Sequence, residues 1–352
     1  MIRNTLGRLT SRAYLGTRYV LLPAIGHEIM RRRSPQRMLS QWPEGTIPLG
    51  PRVCVFVHWD RGGEVRDHVL HQVTALAEAG VSVVFVTNSG FLRPDATERL
   101  KAVCAGIIVR ANVGYDFGAW REGFERLDLP RADTQMVIMA NDSVYGPLWP
   151  VDGMLATMDF SRADVWGCTE SWQSRYHLQS YFMAFSPAVV ASLAWRNFWD
   201  GVRPTWSKNW LIRLYEIGLT QTLLRAGFKC RAVWPYPALT ANIDPELLTD
   251  GKDTEQNLND PLVQVRRSHA HRVRGAVVER TPLNPTSDLW RQLLAARCPF
   301  IKRELLRDNP TFVLDVGDWR TAVAEYTPAG LPSPILAAIE RDLQRTLKNR
   351  TP

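Results

Sequence analysis

Between residues 51 and 240, short β-branched and aromatic runs alternate with stretches whose apolar positions recur every three or four residues. The apolar runs at 53–57, 81–87, 107–110, 135–140, 164–168 and 181–185 predict strands covered on both faces, because a half-solvated strand would alternate with polar residues. Residues 65–79, closed by Gly80, and 95–104 predict helices between them. Farther on, 187–199 and 208–225 predict longer helices, the second stopped by Gly227 and followed by a strand-like 228–234. Residues 238–283 mix Asn, Asp, Pro and Arg without a period and predict loops or a lid, while 288–297 and 334–349 predict a helical C-terminal extension. Repeated βαβ units imply an α/β fold with a doubly wound, mostly parallel sheet, whose ligands bind beyond the carboxyl ends of the strands.

Those strand ends are polar. They read His58-Trp59-Asp60, Asn88-Ser89-Gly90, Arg110 to Gly118, and Asn141-Asp142-Ser143. One polar strand end is an ordinary loop, but four in register predict a binding crevice. Asp60, Asn88, Arg110, Asn112, Asp116, Asn141, Asp142 and Ser143 are its candidate ligand contacts: Arg and Asn donate to phosphates or hydroxyls, and Asp accepts from hydroxyls. The glycines of 110–118 would let backbone approach a ligand, yet the spacing is not G-x-G-x-x-G, which disfavours a dinucleotide site.

Charge narrows the choice of partner. Residues 1–37 hold eight arginines against Glu28 alone, and so carry +7 of the chain's +8. The rest of the chain is near neutral, which argues against nucleic-acid binding. In the basic arm Ile2, Leu6, Leu9 and Ala13 fall on one helical face, a pattern suited to a peripheral anionic membrane surface as well as to a solvated helix. No apolar run is long enough to cross a bilayer, and five scattered cysteines without C-x-x-C spacing indicate neither a zinc site nor a disulfide framework. A reducing cytoplasmic location is expected.

The segments R-A-N-V-G-Y-D-F-G-A-W (110–120), V-I-M-A-N-D-S-V-Y-G-P-L (137–148), W-G-C-T-E-S (166–171) and H-L-Q-S-Y-F (177–182) resemble the rhamnan synthesis F family of bacterial polysaccharide glycosyltransferases. The resemblance covers roughly 50–240, with a weaker stretch in P-F-I-K-R-E-L-L-R-D-N-P (299–310). It implies a GT-A-like fold and a division into a basic arm (1–50), a nucleotide-sugar transferase domain (51–240) and a lid with a helical extension (241–352). It also implies transfer of rhamnose, or a related deoxysugar, from a nucleotide sugar to a growing surface polysaccharide or lipid-linked glycan at the inner face of the cell membrane. The expected donor is TDP-rhamnose, with a GDP- or UDP-sugar as the alternative, and other polysaccharide-assembly enzymes are expected partners.

GT-A enzymes usually hold a divalent cation on a D-x-D motif. Here Asn141-Asp142-Ser143 offers one carboxylate, so Asp142 is the candidate ligand for Mg2+ or Mn2+, with phosphates and water completing the shell. The run Tyr215-Glu216 to Gly227 is similar to the acidic helix of inverting GT-A transferases, which assigns Glu216 to the general base, with Glu170 as a competitor. His177 and Gln179 are candidate sugar contacts, Trp59, Trp120, Trp166 and Trp172 candidate stacking platforms, and the cations between Arg266 and Arg274 a candidate diphosphate clasp. The incomplete D-x-D also leaves open a non-catalytic nucleotide-sugar or glycan-binding module.

Overall fold

The computed structural model describes residues 37–204, 207–241, 243, 271–276, 279–313, 316–327 and 334–348. The expected arm helix, most of the expected lid over 238–283, and Arg266, Arg267 and His269 of the basic stretch lie outside these residues. Strands are β1 (Met38–Trp42), β2 (Arg52–His58), β3 (Ser82–Thr87), β4 (Gly106–Arg110), β5 (Met136–Asn141), β6 (Val144–Tyr145), β7 (Val165–Ser171), β8 (His177–Leu178), β9 (Phe182–Phe185), β10 (Cys230–Trp234) and β11 (Ile301–Lys302). The helices used below are α1 (Asp67–Glu78), α2 (Pro94–Lys101), α3 (Tyr115–Glu125), α4 (Pro187–Ala191), α5 (Leu193–Gly201), α6 (Lys208–Leu211), α7 (Ile217–Arg225), α8 (Arg303–Asp308) and α9 (Pro334–Lys348).

The main sheet runs β1-β4-β3-β2-β5-β9-β7-β10, with β8 attached to β7. Its β4-β3-β2-β5 centre is parallel, as is the β7-β10 pair; β1 and β9 run antiparallel to their neighbours. This is the α/β, doubly wound, mostly parallel architecture expected from the sequence. Every residue of β2 after Arg52 is buried, because Cys54 and Phe56 face one core layer while Val53, Val55 and Val57 face the other. Helix α3 sits close on the second face: a Cβ on Gly123 would lie 2.7 Å from Val55 Cγ1, so only glycine permits this approach. Beside it the fully buried Trp120 indole donates to the carbonyls of Val55 and Ala140, each at 3.2 Å, tying the helix to adjacent strands.

Four local expectations change. The segment after β4 is not loop throughout: Gly114, at φ 83°, turns the chain and α3 begins at Tyr115, so Asp116 occupies a first helical turn. Residues 187–199 divide into α4 and α5 at Ser192, whose hydroxyl donates to Val189 O at 2.6 Å and accepts from Trp195 N at 3.1 Å. The 208–225 stretch is interrupted by a π-helical turn over Ile212–Glu216. The C-terminal extension also contributes a strand: β11 pairs antiparallel with β6, immediately beyond Ser143. A third core layer forms there, with Tyr145 among Trp290, Leu305, Trp319, Ile335 and Ile339. Helix α9 lies along α1, and Arg341 on α9 reaches Asp67 at 2.8 Å. The five cysteines are free, and four of them are buried.

Candidate active site

The ends of β4, β3, β2 and β5 stand side by side, stitched by Asn88 N to His58 O at 2.8 Å and Asp142 N to Val57 O at 3.1 Å. The sequence-selected residues divide here into those that shape the rim and those that face one another across it. Arg110 belongs to the first group. It is fully buried and donates to Glu122 at 2.5 Å, to Val113 O at 2.9 Å and to the Asn88 side chain. Burial pushes its pKa down, Glu122 opposes that, and the guanidinium fixes the loop that ends in Gly114 instead of presenting itself to a ligand. Asn88 also donates to Tyr115 O at 3.3 Å, and Asn112 is exposed. Asp60 accepts from Gly62 N at 2.7 Å and Glu64 N at 3.1 Å and pairs with Arg66 at 3.4 Å, so it shapes the turn after β2.

Across the rim, Asn141 Nδ2 donates to Asp116 Oδ2 at 2.8 Å, while Asn141 Oδ1 accepts from the Ser143 hydroxyl at 2.5 Å and its amide at 3.1 Å. Burial, reinforced by the facing charge of Asp142, pushes the Asp116 carboxyl up to about 6. Asp142 Oδ2 meets Arg303 Nη1 at 3.1 Å, and the same nitrogen donates to Asp142 O at 2.7 Å. Lys302 Nζ donates to Ser143 Oγ at 3.1 Å and lies 5.4 Å from the Tyr181 ring centre.

Glu216 approaches from the other side. It closes the π turn, which carries an extra residue in one helical turn and so changes the direction in which the turn's last side chain points. Its Oε2 accepts from the Ser180 hydroxyl and from Ser180 N at 3.2 Å, and its Oε1 faces His177 Nε2 at 3.6 Å. Burial pushes the Glu216 carboxyl up, but His177 and Ser180 outweigh it and the pKa falls below the ordinary carboxylate value. Burial likewise opposes a charged His177, yet Glu216 and the Arg175 carbonyl, 2.8 Å from Nδ1, carry its pKa above the ordinary imidazole value. The result is a carboxylate held beside an imidazole, and the Glu216 charge is felt at Asp116 and Lys302.

Glu170 and Gln179 have other partners. Glu170 accepts from Tyr176 OH at 3.1 Å and Tyr236 N at 3.0 Å. Gln179 accepts from Thr169 Oγ1 at 2.7 Å and donates to Thr286 Oγ1 at 3.3 Å. Among the tryptophans, Trp120 and Trp166 are core residues, which removes them as stacking platforms; Trp59 and Trp172 remain about half exposed, Trp172 packing on Tyr176 at 4.9 Å. Arg272 is likewise engaged, pairing with Asp288 at 2.6 Å and donating to Thr311 O.

Sequence reasoning missed Ser180, Lys302, Arg303 and Asp342. Asp342, on α9, has a side chain only 1% exposed; it pairs with Arg66, lies 3.6 Å from Arg303 and accepts from Tyr145 OH at 2.6 Å. Burial pushes its carboxyl up, but the imidazole of His68 and these cations and donors hold it down to about 2. The unbroken relay Asp60, Arg66, Asp342, Arg303, Asp142 therefore links the end of β2 to the end of β5 through the C-terminal helix. The only sequence signal for it was the I-K-R-E-L-L run at 301–306, which no local pattern ties to residue 142.

A divalent cation can be judged against these donors. The Asp142 charge raises the Asp116 carboxyl, a repulsion that a cation between the two would relieve; Asn141 already occupies one oxygen of Asp116 and Arg303 one of Asp142. Among the described residues no three His, Cys, Asp or Glu side chains cluster into a complete protein cage, so further ligands would come from a bound phosphate or water.

Comparison with known proteins adds a lineage to this geometry. The Virulence protein VirA of Vibrio anguillarum (strain ATCC 68554 / 775) is 31% identical over 212 residues, 59% of this chain and 64% of VirA. An uncharacterized protein of Sinorhizobium fredii, y4gN, is 31% identical over 189 residues, covering 53% of this chain and 49% of that one. The chain thus matches just under two thirds of the first relative and about half of the second. Two solved structures show a loose likeness. The mannosyltransferase PcManGT from Pyrobaculum calidifontis, in complex with GDP-Man and Mn2+, is 12% identical with a TM-score of 0.30, covering 95% of this chain and 91% of its own. S. aureus TarS 1–349 is 13% identical with a TM-score of 0.36, covering 78% and 91%. The sequence pattern described as Rhamnan synthesis protein F matches residues 83–272, which hold the rim residues Asn88, Asp116 and Asp142 together with Glu216. The chain belongs to the rhamnan synthesis protein F family.

Proposed function

We propose that this protein is an inverting glycosyltransferase that moves rhamnose, or a related deoxysugar, from a nucleotide sugar to a hydroxyl of a growing cell-surface glycan. The observation that carries the reading is Glu216: an ionised, mostly buried carboxylate aimed at the rim by a π turn and held by Ser180 and His177. In this reading the donor diphosphate lies over Asn141–Ser143 and the acceptor hydroxyl lies by Glu216. The acceptor oxygen attacks the anomeric carbon opposite the diphosphate. That O–C bond forms as the bond from carbon to phosphate oxygen breaks, its electron pair leaves on the diphosphate, and the hydroxyl proton passes to Glu216. His177 and Ser180 fix which carboxylate oxygen faces the hydroxyl.

Asp142 and Asp116 would hold Mg2+ or Mn2+, which when bound neutralises diphosphate charge. Asp116, whose carboxyl burial and Asp142 raise to about 6, would have to give up its proton to serve as a ligand, which would make cation binding stronger as pH rises. The family description supports a rhamnose polymer as the product class. The arginine-rich residues 1–37 support a peripheral position at an anionic, lipid-linked acceptor surface. The test is release of nucleoside diphosphate by the full chain from TDP-rhamnose, GDP- and UDP-sugars, with and without Mn2+ and a lipid-linked rhamnan acceptor. Acceptor-dependent release with an inverted anomeric product supports the reading; binding of nucleotide sugars without any turnover means a binding module.

A further inference from the structure

The geometry points to Lys302, in the C-terminal extension, as a ligand of the donor's diphosphate and the side chain that takes up negative charge as the sugar departs. The inference rests on the transferase reading above and goes beyond it, because Lys302 lies outside the matched 83–272 region. Antiparallel pairing of β11 with β6 sets Lys302 opposite Val144 and delivers its ammonium to the strand end through Ser143 Oγ at 3.1 Å. Its neighbour Arg303 is already committed to Asp142 and Asp342. Lys302 is not: among the described residues its ammonium has one neutral hydroxyl and the face of Tyr181 as close partners, and the carboxylates of Glu216, Glu304 and Asp116 act on it only from farther away.

An ammonium carries three donors, and here one is spent on an uncharged oxygen. Burial disfavours the charge, which no close anion returns, so this lysine is held ready for an anion entering beyond β5. In a parallel sheet that is where a phosphate arrives. As the bond from the anomeric carbon to the phosphate oxygen breaks, the electron pair goes to the diphosphate, and Lys302 gains interaction energy in step with the growing charge. Unlike a metal, it is built into the chain and needs no loading.

The test uses the full chain in EDTA and measures affinity for TDP, GDP and UDP and for the matching nucleosides, in wild type, Lys302→Met and Lys302→Arg, with thermal melting as a check on folding. Loss of a charge-assisted contact should weaken diphosphate binding by about ten- to a hundredfold in Lys302→Met, leave nucleoside binding unchanged, and be largely restored in Lys302→Arg. Diphosphate affinity in a folded Lys302→Met equal to wild type overturns the assignment while leaving the transferase reading standing. Equal weakening of nucleoside and diphosphate also overturns it, because the lysine would then only support the pocket. If the wild type binds none of the three diphosphates, even with Mn2+, the transferase reading itself falls and takes this inference with it.

Discussion

Arg303 and Asp142 stand 161 positions apart, yet one guanidinium nitrogen binds both the carboxylate and the backbone carbonyl of that aspartate, at 3.1 and 2.7 Å. The contact fixes the backbone as well as the charge of the β5 end. Replacing Asp142 by Asn keeps the shape and the carbonyl contact but removes the charge. We expect nucleoside-diphosphate affinity to fall by at least about tenfold, in line with loss of one charge-assisted interaction, while the melting temperature moves by only a few degrees. Calorimetric titration with Mn2+ present reads the first, and unchanged affinity would remove Asp142 from the donor site.

Glu216→Gln retains an acceptor for Ser180 but cannot take a proton. General-base catalysis contributes about 10²- to 10⁴-fold, so turnover should fall by that factor with the donor KM little changed. Glu170→Gln, whose parent carboxylate is occupied by Tyr176 and Tyr236, should lose stability before it loses chemistry. The reverse pattern would move the base to Glu170.

Asp116 gives a prediction in pH. Its folded pKa of about 6 lies above the ordinary 3.8, so the folded state binds a proton that the unfolded state releases. Wild type therefore loses stability as pH rises from about 4 to 6, and the full cost persists above that range. Asp116→Asn should melt higher than wild type at pH 7.5, equal it near pH 3.5, and bind Mn2+ more weakly at both. A melting difference independent of pH would mean that folding does not raise the Asp116 carboxyl.

For Asp342 the sign is opposite. Held at about 2 against an ordinary 3.8, it contributes stability that is full above the ordinary value and is lost as pH falls towards 2. Asp342→Asn leaves Arg66 and Arg303 without their shared carboxylate, at a cost of about 3 kcal/mol at neutral pH. Urea unfolding at pH 7 and pH 3 should show the gap between variant and wild type closing at the lower value.

The arm is tested on membranes. Removal of residues 1–37, which carry +7, should release the protein from anionic vesicles, and 0.5 M salt should release the intact chain. Retention of the truncated protein on such vesicles would place membrane affinity elsewhere.

Period and punctuation in the sequence were enough to read seven strands of the main sheet, but not β1, which falls among the residues assigned to the basic arm, or the two-residue β8. Buried parallel strands such as 53–57 announce themselves as unbroken apolar runs, and their polar ends announce the rim. What stayed hidden depended on partners remote in sequence. Arg110 has the composition of a phosphate ligand, and only its burial against Glu122 and Asn88 shows it to be a brace. Nothing periodic marks the π turn before Glu216, since it is one residue added to an otherwise regular helix. Lys302 and Arg303 look like solvated charges until β11 is paired, and a two-residue strand has no pattern to read.

The relay through Asp342 has a consequence for how the protein is made. A chain emerging from the ribosome can assemble β2 to β10 well before residues 301–342 exist. In that interval Tyr145 lacks its apolar cover and Asp142 lacks its guanidinium, so the nascent sheet carries an exposed greasy shelf beside a half-built anionic rim. Helix α9 thus completes the ends of β2 and β5. A chain ending between β10 and β11 would leave Tyr145 without its apolar cover and Asp142 without its guanidinium, and should be cut faster in limited proteolysis than the intact chain.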